Sequence, residues 1–249
     1  MADRTFVLVH GGWHGGWCFK RVAKILRARG HEVFTPTLTG LGERSHLMAG
    51  GINLSTHVTD VVNVLRWENL DDVVLCGHSY GGVVITGVAE QAGALISSIV
   101  YLDAFIAKDG ISVLQMLPPA MSAAILSSVA SRGGLAVPPI SAEDFNVNAA
   151  DRAWVDSKCT PQPLAPTLEA IRVTGAYQRI KSKTFIRAAR YSSADIDAHV
   201  EACAADPSWS VRRMDCGHDL MIDRPEALAD LLEEAASAKS TDKSKEGWR

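Results

Sequence analysis

The stretch that most constrains this chain is Val73-Val74-Leu75-Cys76 followed at once by Gly77-His78-Ser79-Tyr80-Gly81-Gly82 and then by small and β-branched residues to about Gln91. An unbroken apolar run of this length, without polar alternation, predicts a strand buried on both faces, as in a parallel sheet. The small-residue run behind it predicts a helix. Only a very sharp turn joins the two, and glycines flank the serine because larger side chains there would collide. A turn of this kind holds Ser79 in strained backbone with its hydroxyl at the strand end. It also aims the free N–H groups and positive end of the next helix at developing negative charge.

The rest of the chain extends the same alternation. Strands are expected at Thr5–Val9, 32–38, 73–76, 97–102, 183–187 and 209–214, and helices at 17–29, 54–67 and 225–235. Strand–helix alternation predicts an α/β fold, a mostly parallel central sheet with helices on both faces. Residues 107–180 break the pattern: they are rich in Ala, Ser, Pro and Leu, with helical character near 111–132 and 164–179. A compact domain rarely spends that much chain on a loop, so this segment is expected to be a helical cap inserted after the fourth strand. The core is then 1–106 with 181–236, and 237–249 is expected to be a flexible polar tail.

Composition excludes several classes of function. With 47% apolar residues among 249, a sizeable core can form. A net charge of −3 without a basic block leaves no concentrated positive face for nucleic acid. No apolar run reaches the roughly 18 residues of a membrane span. The only apolar run near the start is Phe6–Val9, far short of a secretion signal. Five scattered cysteines, at 18, 76, 159, 203 and 216, show no metal-ligand spacing and read as reduced thiols of a cytoplasmic protein. No metal, cofactor or membrane partner is expected. The expected partner is a small molecule, and a homodimer is compatible with the sequence.

A serine hydroxyl is a poor nucleophile until a base takes its proton. His218 is the expected base, since it follows Gly217 and the last strand and precedes the final helix. His199 reads as lying on a solvent-facing helix, and His78 sits inside the turn itself. An oxyanion hole needs two converging N–H donors. One is the amide of Tyr80. The other is assigned to Gly12 in His10-Gly11-Gly12-Trp13-His14-Gly15-Gly16-Trp17, with Trp13 as second choice. This loop lacks the GxGxxG spacing of a dinucleotide site. Trp13, Trp17 and Trp154 are candidates for an aromatic substrate pocket.

Taken together, VHGGWHGGW at 9–17, LTGLGERSHL at 38–47, GHSYGG at 77–82, YLDAF at 101–105 and GHDLM at 217–221 resemble the α/β-hydrolase superfamily. Within it, the chain is similar to the small esterase branch of plant methylesterases, hydroxynitrile lyases and bacterial esterases. The resemblance implies a sheet of the eight-stranded type, whole or trimmed, and hydrolysis through an acyl-enzyme. In one place the chain departs from the branch. The acid expected just after the penultimate strand is missing from Ala188-Ala189-Arg190-Tyr191-Ser192-Ser193. Some α/β-hydrolases take their acid from the end of the strand after the nucleophile's, and here that residue is Asp103. A carboxylate there is costly to bury unless paired, and a histidine N–H is its natural partner. Asp195 and Asp197 are the alternatives, and Asp219 reads as a turn cap. The expected activity is serine-dependent cleavage of small apolar or aromatic esters, with carbamates and lactones chemically close. A lyase using Ser79 and His218, or a non-catalytic receptor of the same fold, are the alternatives.

Overall fold

The computed structural model describes residues 3–131 and 133–237. The chain begins with β1 (Thr5–Val9), α1 (Lys20–Ala28), β2 (Glu32–Phe34), α2 (Leu54–Trp67), β3 (Val73–His78), α3 (Gly81–Ala92) and β4 (Ile96–Leu102). An insert follows, with α4 (Val113–Met116), α5 (Pro119–Ala130), β5 (Ala136–Val137), α6 (Arg152–Lys158), β6 (Gln162–Pro163) and α7 (Ala165–Leu168). The chain then returns to the sheet with β7 (Ser182–Ala188), α8 (Ala194–Ala204), β8 (Trp209–Met214), α9 (Leu220–Asp223) and α10 (Pro225–Ser237).

Six strands in the order β2-β1-β3-β4-β7-β8 form one sheet, every pair parallel. The sheet is therefore a trimmed form of the eight-stranded type that the resemblance implied. Alternation along each strand divides the core in two. Phe6, Leu8, Val74 and Cys76 join one cluster with α1 and α10, whereas Val7, Val9, Leu75 and Ile99 join the other with α2, α3 and α8. Both faces are covered, which is why the strands read as continuous apolar runs.

Three expected boundaries moved for identifiable reasons. The second strand stops at Phe34 rather than 38, because Pro36 has no N–H to continue the ladder. Beyond it the chain is held by side chains instead: Thr37 Oγ1 accepts from Gly16 N, and Leu38 N donates to His10 Nε2. The third strand runs on to His78, in register with Leu102, so the turn carrying the serine begins on a fully paired strand. The helix expected over 164–179 is reduced to the single turn of α7 and a 3₁₀ turn at Ala176–Arg179, which starts from Gly175 with φ +82°. The insert also contains a two-stranded ribbon, β5 with β6, apart from the main sheet. Of the expected tail 237–249, Ser237 is the last residue of α10 and the remainder lies outside the described residues.

Candidate active site

Ser79 stands between β3 and α3 with φ +52°, a left-handed conformation that L-residues adopt rarely and that marks stored strain. The flanking glycines are required by space. A Cβ on Gly77 would lie 2.5 Å from the Gly81 carbonyl oxygen, and one on Gly81 would lie 2.6 Å from that of His10. The strained turn is tied down through its main chain. Ser79 N donates to the Leu102 carbonyl, and Ser79 O accepts from Gly82 and Phe105.

At the end of the neighbouring strand, Asp103 also has positive φ, +45°, and is fully buried. Its Oδ2 lies 2.6 Å from His218 Nδ1. Its Oδ1 accepts from Arg187 Nη1 at 2.6 Å and from the Ala188 amide at 3.0 Å. A buried carboxylate with charged and neutral donors on both oxygens is held in one orientation. Arg187, buried at the end of β7, also binds Asp197 through Nε at 2.8 Å, and burial works against its charge less than these two carboxylates favour it. Asp197 is thereby occupied by Arg187, and Asp195 lies on the cavity wall; neither bonds His218. The segment where the resemblance put an acid, 188–193, holds no carboxylate, and Arg187 near the end of the preceding strand binds Asp103 instead.

His218 is fixed from several sides. Its amide donates to Phe145 O of the insert at 2.9 Å, its carbonyl accepts from His78 Nε2 at 2.9 Å, and its ring packs between Phe145 and Tyr191. With Nδ1 donating to Asp103, Nε2 has no protein partner among the described residues. His78 thus props the main chain at His218. Burial, and then the neighbouring His218, pull its pKa down to about 3, so it stays neutral.

The loop after β1 is held peptide by peptide. His10 Nδ1 donates to Gly11 O at 2.7 Å while its Nε2 accepts from Leu38, which fixes a neutral tautomer; burial lowers its pKa to about 3. His14 Nδ1 lies 2.8 Å from Gly12 O and its Nε2 lies 3.0 Å from Asp219 Oδ2. Facing two acceptors, His14 is satisfied as an imidazolium. Burial opposes that charge, but Asp219 outweighs burial and raises the pKa. Burial likewise pushes Asp219 up, and the His14 charge and hydrogen bond bring it down to about 2. The Trp13 amide donates to Gln162 Oε1 at 3.3 Å. Among the described residues the Gly12 and Tyr80 amides have no protein acceptor, and both residues line the cavity that Ser79 and His218 also line.

That cavity has a volume of about 320 Å³. Its roof comes from α4, α5 and the β5 region, including Leu114, Met121, Val137 and Ile140, and neither lysine nor arginine is among its walls. Of the three tryptophans expected there, Trp13 alone lines it. Trp17 and Trp154 pack against each other edge to face at 5.2 Å, beside the α1–α10 core. Asp219 is not the turn cap expected from the sequence, since its side chain caps nothing and is wholly buried against His14. His199 faces inward against Phe105 rather than solvent, and burial lowers its pKa to about 4. The cysteines are all free, and burial pushes the thiols of Cys159, Cys203 and Cys216 up to about 12. Among the described residues no His, Cys, Asp and Glu cluster could hold a metal ion, and no helix is long and apolar enough to cross a membrane. The sequence reading missed the His14–Asp219 pair. Its signal was a second histidine in the glycine loop and a carboxylate directly after the expected base.

Comparison with known proteins gives a consistent family. A model of the alpha/beta hydrolase family matches residues 6–231. A carbendazim hydrolyzing esterase of Nocardioides sp. (strain SG-4G) is 42% identical, over 92% of this chain and 98% of that protein. A putative chloroplastic methylesterase of Arabidopsis thaliana is 27% identical, over 95% of this chain and 65% of its own length. Among solved structures, an extracellular alpha/beta-hydrolase from a Paenibacillus species superposes with a TM-score of 0.84 at 24% identity, covering 95% of this chain and all of that one. A pyrethroid hydrolase from Sphingobium faniae JZ-2 does so at 0.75 and 20%, covering 95% and 98%. These two structural likenesses speak to the fold.

Proposed function

The chain belongs to the α/β hydrolase family, and from that premise we propose that it is a serine esterase cleaving small apolar or aromatic carboxylic esters through an acyl-enzyme. The observation that carries this reading is the 2.6 Å contact from Asp103 to His218, which lines the cavity that Ser79 also lines from its strained turn. Ester hydrolysis is the activity named for relatives in this family, including the Nocardioides esterase. Asp103 sets the tautomer of His218 and stabilises its charge, so that Nε2 can take the Ser79 proton as Oγ attacks the ester carbonyl. The amides of Gly12 and Tyr80 receive the oxyanion, and His218 returns the proton to the leaving alcohol. Water then repeats the sequence on the acyl-enzyme.

The insert, 107–180, acts in this reading as a cap that selects substrates by apolar contact. The absence of cationic walls supports ester hydrolysis over a lyase reaction, which must hold a released anion; here two carboxylates, Asp103 and Asp219, lie near His218 instead. All five cysteines are free, which supports a reducing, cytoplasmic setting.

Intact-mass labelling with a fluorophosphonate tests the nucleophile. One adduct is expected on the wild-type protein and none on Ser79→Ala, with p-nitrophenyl ester hydrolysis falling roughly 10⁵–10⁶-fold. An unlabelled wild type, or full labelling of Ser79→Ala, would overturn the reading.

A further inference from the structure

The insert contributes one buried polar group whose hydrogen-bonding capacity is only half used. Gln162, on β6, is 2% exposed and lines the cavity beside Gly12 and Trp13. Its orientation is settled by its neighbour. The Trp13 N–H needs an acceptor, so the carbonyl end, Oε1, faces that amide, and the NH₂ end points away from it. Among the described residues no acceptor lies within reach of Nε2, although the atom is shielded from solvent. The Trp13 indole N–H is itself spent on Val137 O, at 3.1 Å. A buried amide donor without a partner is an uncommon and costly arrangement, and at a cavity wall it is relieved by whatever fills the cavity. The oxyanion amides are aimed at the reacting oxygen. Gln162 Nε2 is a further donor, carried by a different element.

We propose that Gln162 Nε2 recognises a second hydrogen-bond acceptor on the substrate, an ether or carbonyl oxygen or a ring nitrogen placed next to the scissile ester. This rests on the esterase reading and deepens it. The preferred substrates are apolar esters carrying one such heteroatom close to the reacting carbonyl, rather than plain alkyl esters of the same shape. Gln162 would discriminate among substrates without taking part in the bond-making steps.

Matched ester pairs test this. p-Nitrophenyl methoxyacetate and p-nitrophenyl butyrate differ by an ether oxygen in place of a methylene on the acyl side; 3-pyridyl and phenyl acetate differ by a ring nitrogen on the alcohol side. The kcat/KM ratio within each pair is compared in wild type, Gln162→Met and Gln162→Glu, so that intrinsic reactivity cancels. Ionised glutamate keeps an oxygen for the Trp13 amide but removes the donor, so the ratios are compared on the alkaline side of its titration. The ratio in at least one pair is expected to fall about 3- to 10-fold in both variants, the range of one neutral hydrogen bond. An unchanged ratio in both pairs, or a ratio restored by glutamate, overturns the proposal, the latter because it would leave Gln162 with only a structural hold on Trp13. The same pairs titrated into Ser79→Ala and Ser79→Ala/Gln162→Glu read the contact without turnover. An inert wild type would thus count against the esterase reading, while the binding ratios would still decide the role of Gln162.

Discussion

The sheet edge and the insert above it meet at one cavity but are built in opposite ways. Beneath the cavity, at the ends of β1, β3, β4 and β8, stand His10, His14, His78, Asp103, Asp219 and His218, polar groups almost wholly out of water. They are held by named partners: Gly11 and Leu38 for His10, Gly12 and Asp219 for His14, the His218 carbonyl for His78, and Arg187 and His218 for Asp103. Above the cavity, the insert presents apolar side chains that remain partly wet, with Met121 52% and Ile140 39% exposed. A buried polar network tolerates little change, because removing one member leaves another uncompensated in low dielectric. An apolar roof open to solvent loses little when one side chain is trimmed. The two halves should therefore respond to mutation in different quantities: turnover and folding below, substrate preference above.

The largest expected effect lies below. Asp103→Asn should lower kcat about 10⁴-fold, because the amide can no longer fix the productive tautomer of His218 or stabilise its charge. Asp195→Asn and Asp197→Asn should stay within a few-fold of wild type, since neither touches His218. Steady-state kinetics on the three variants decides this. Near-normal turnover in Asp103→Asn would break the comparison at its root.

The His14–Asp219 pair comes next, and it acts on stability as much as on rate. Asp219→Asn leaves His14 facing the Gly12 carbonyl without a counter-charge, and breaking a buried pair of this kind costs about 3–5 kcal/mol. The two pKa shifts set the pH window. Asp219 is depressed from 3.8 to about 2, so its contribution is present above pH 3.8 and is lost as pH falls toward about 2. His14 is raised above 6.5, so its contribution is present below 6.5 and is lost as pH rises through the raised value. Calorimetric Tm against pH should show the wild-type advantage over Asp219→Asn greatest at about pH 4–6 and declining on both sides. A difference independent of pH would mean that the pair is not ionised.

The same contrast explains what could be read from the sequence. Strand and helix positions along the sheet were legible because both faces are covered and the inner strands β1 and β3 carry plain apolar runs. Thr5–Val9, Leu54–Trp67 and Trp209–Met214 fall where the residue pattern places them. The serine turn was legible because sterics leave little choice but glycine on either side of it. The insert was not. Its elements are short and its apolar residues are divided between a cavity and the core, so periodicity carries little information there, and its second expected helix is a single turn followed by irregular chain up to Gly175. Arg187 was silent, and the signal of His14 and Asp219 lay in two separate motifs, because a buried ion pair is made by residues far apart in the chain and leaves no single local pattern. Asp103 was readable only as a carboxylate ending an apolar strand, a position that demands a partner.

The smallest expected effect sharpens the comparison from above. Met121, on α5, lines the cavity while half of its surface is in water. Truncating a fully buried methionine usually costs about 2–5 kcal/mol, most of it lost burial and an unfilled hole. Neither term applies in full to a side chain already half solvated, so Met121→Ala should shift Tm by no more than about 2–3 °C. The apolar contact it gives a ligand is nevertheless lost, and about one or two buried methylenes' worth of binding should go with it, roughly 0.8 kcal/mol each. KM for a longer-chain p-nitrophenyl ester should then rise several-fold with kcat little changed, while KM for the acetate stays near wild type. Contact with the substrate alone, made equally in ground and transition states, has this signature. If Met121→Ala instead lowered kcat for short and long esters alike, the roof would be helping to hold the groups beneath it, and the division between a rigid floor and a permissive roof would fail.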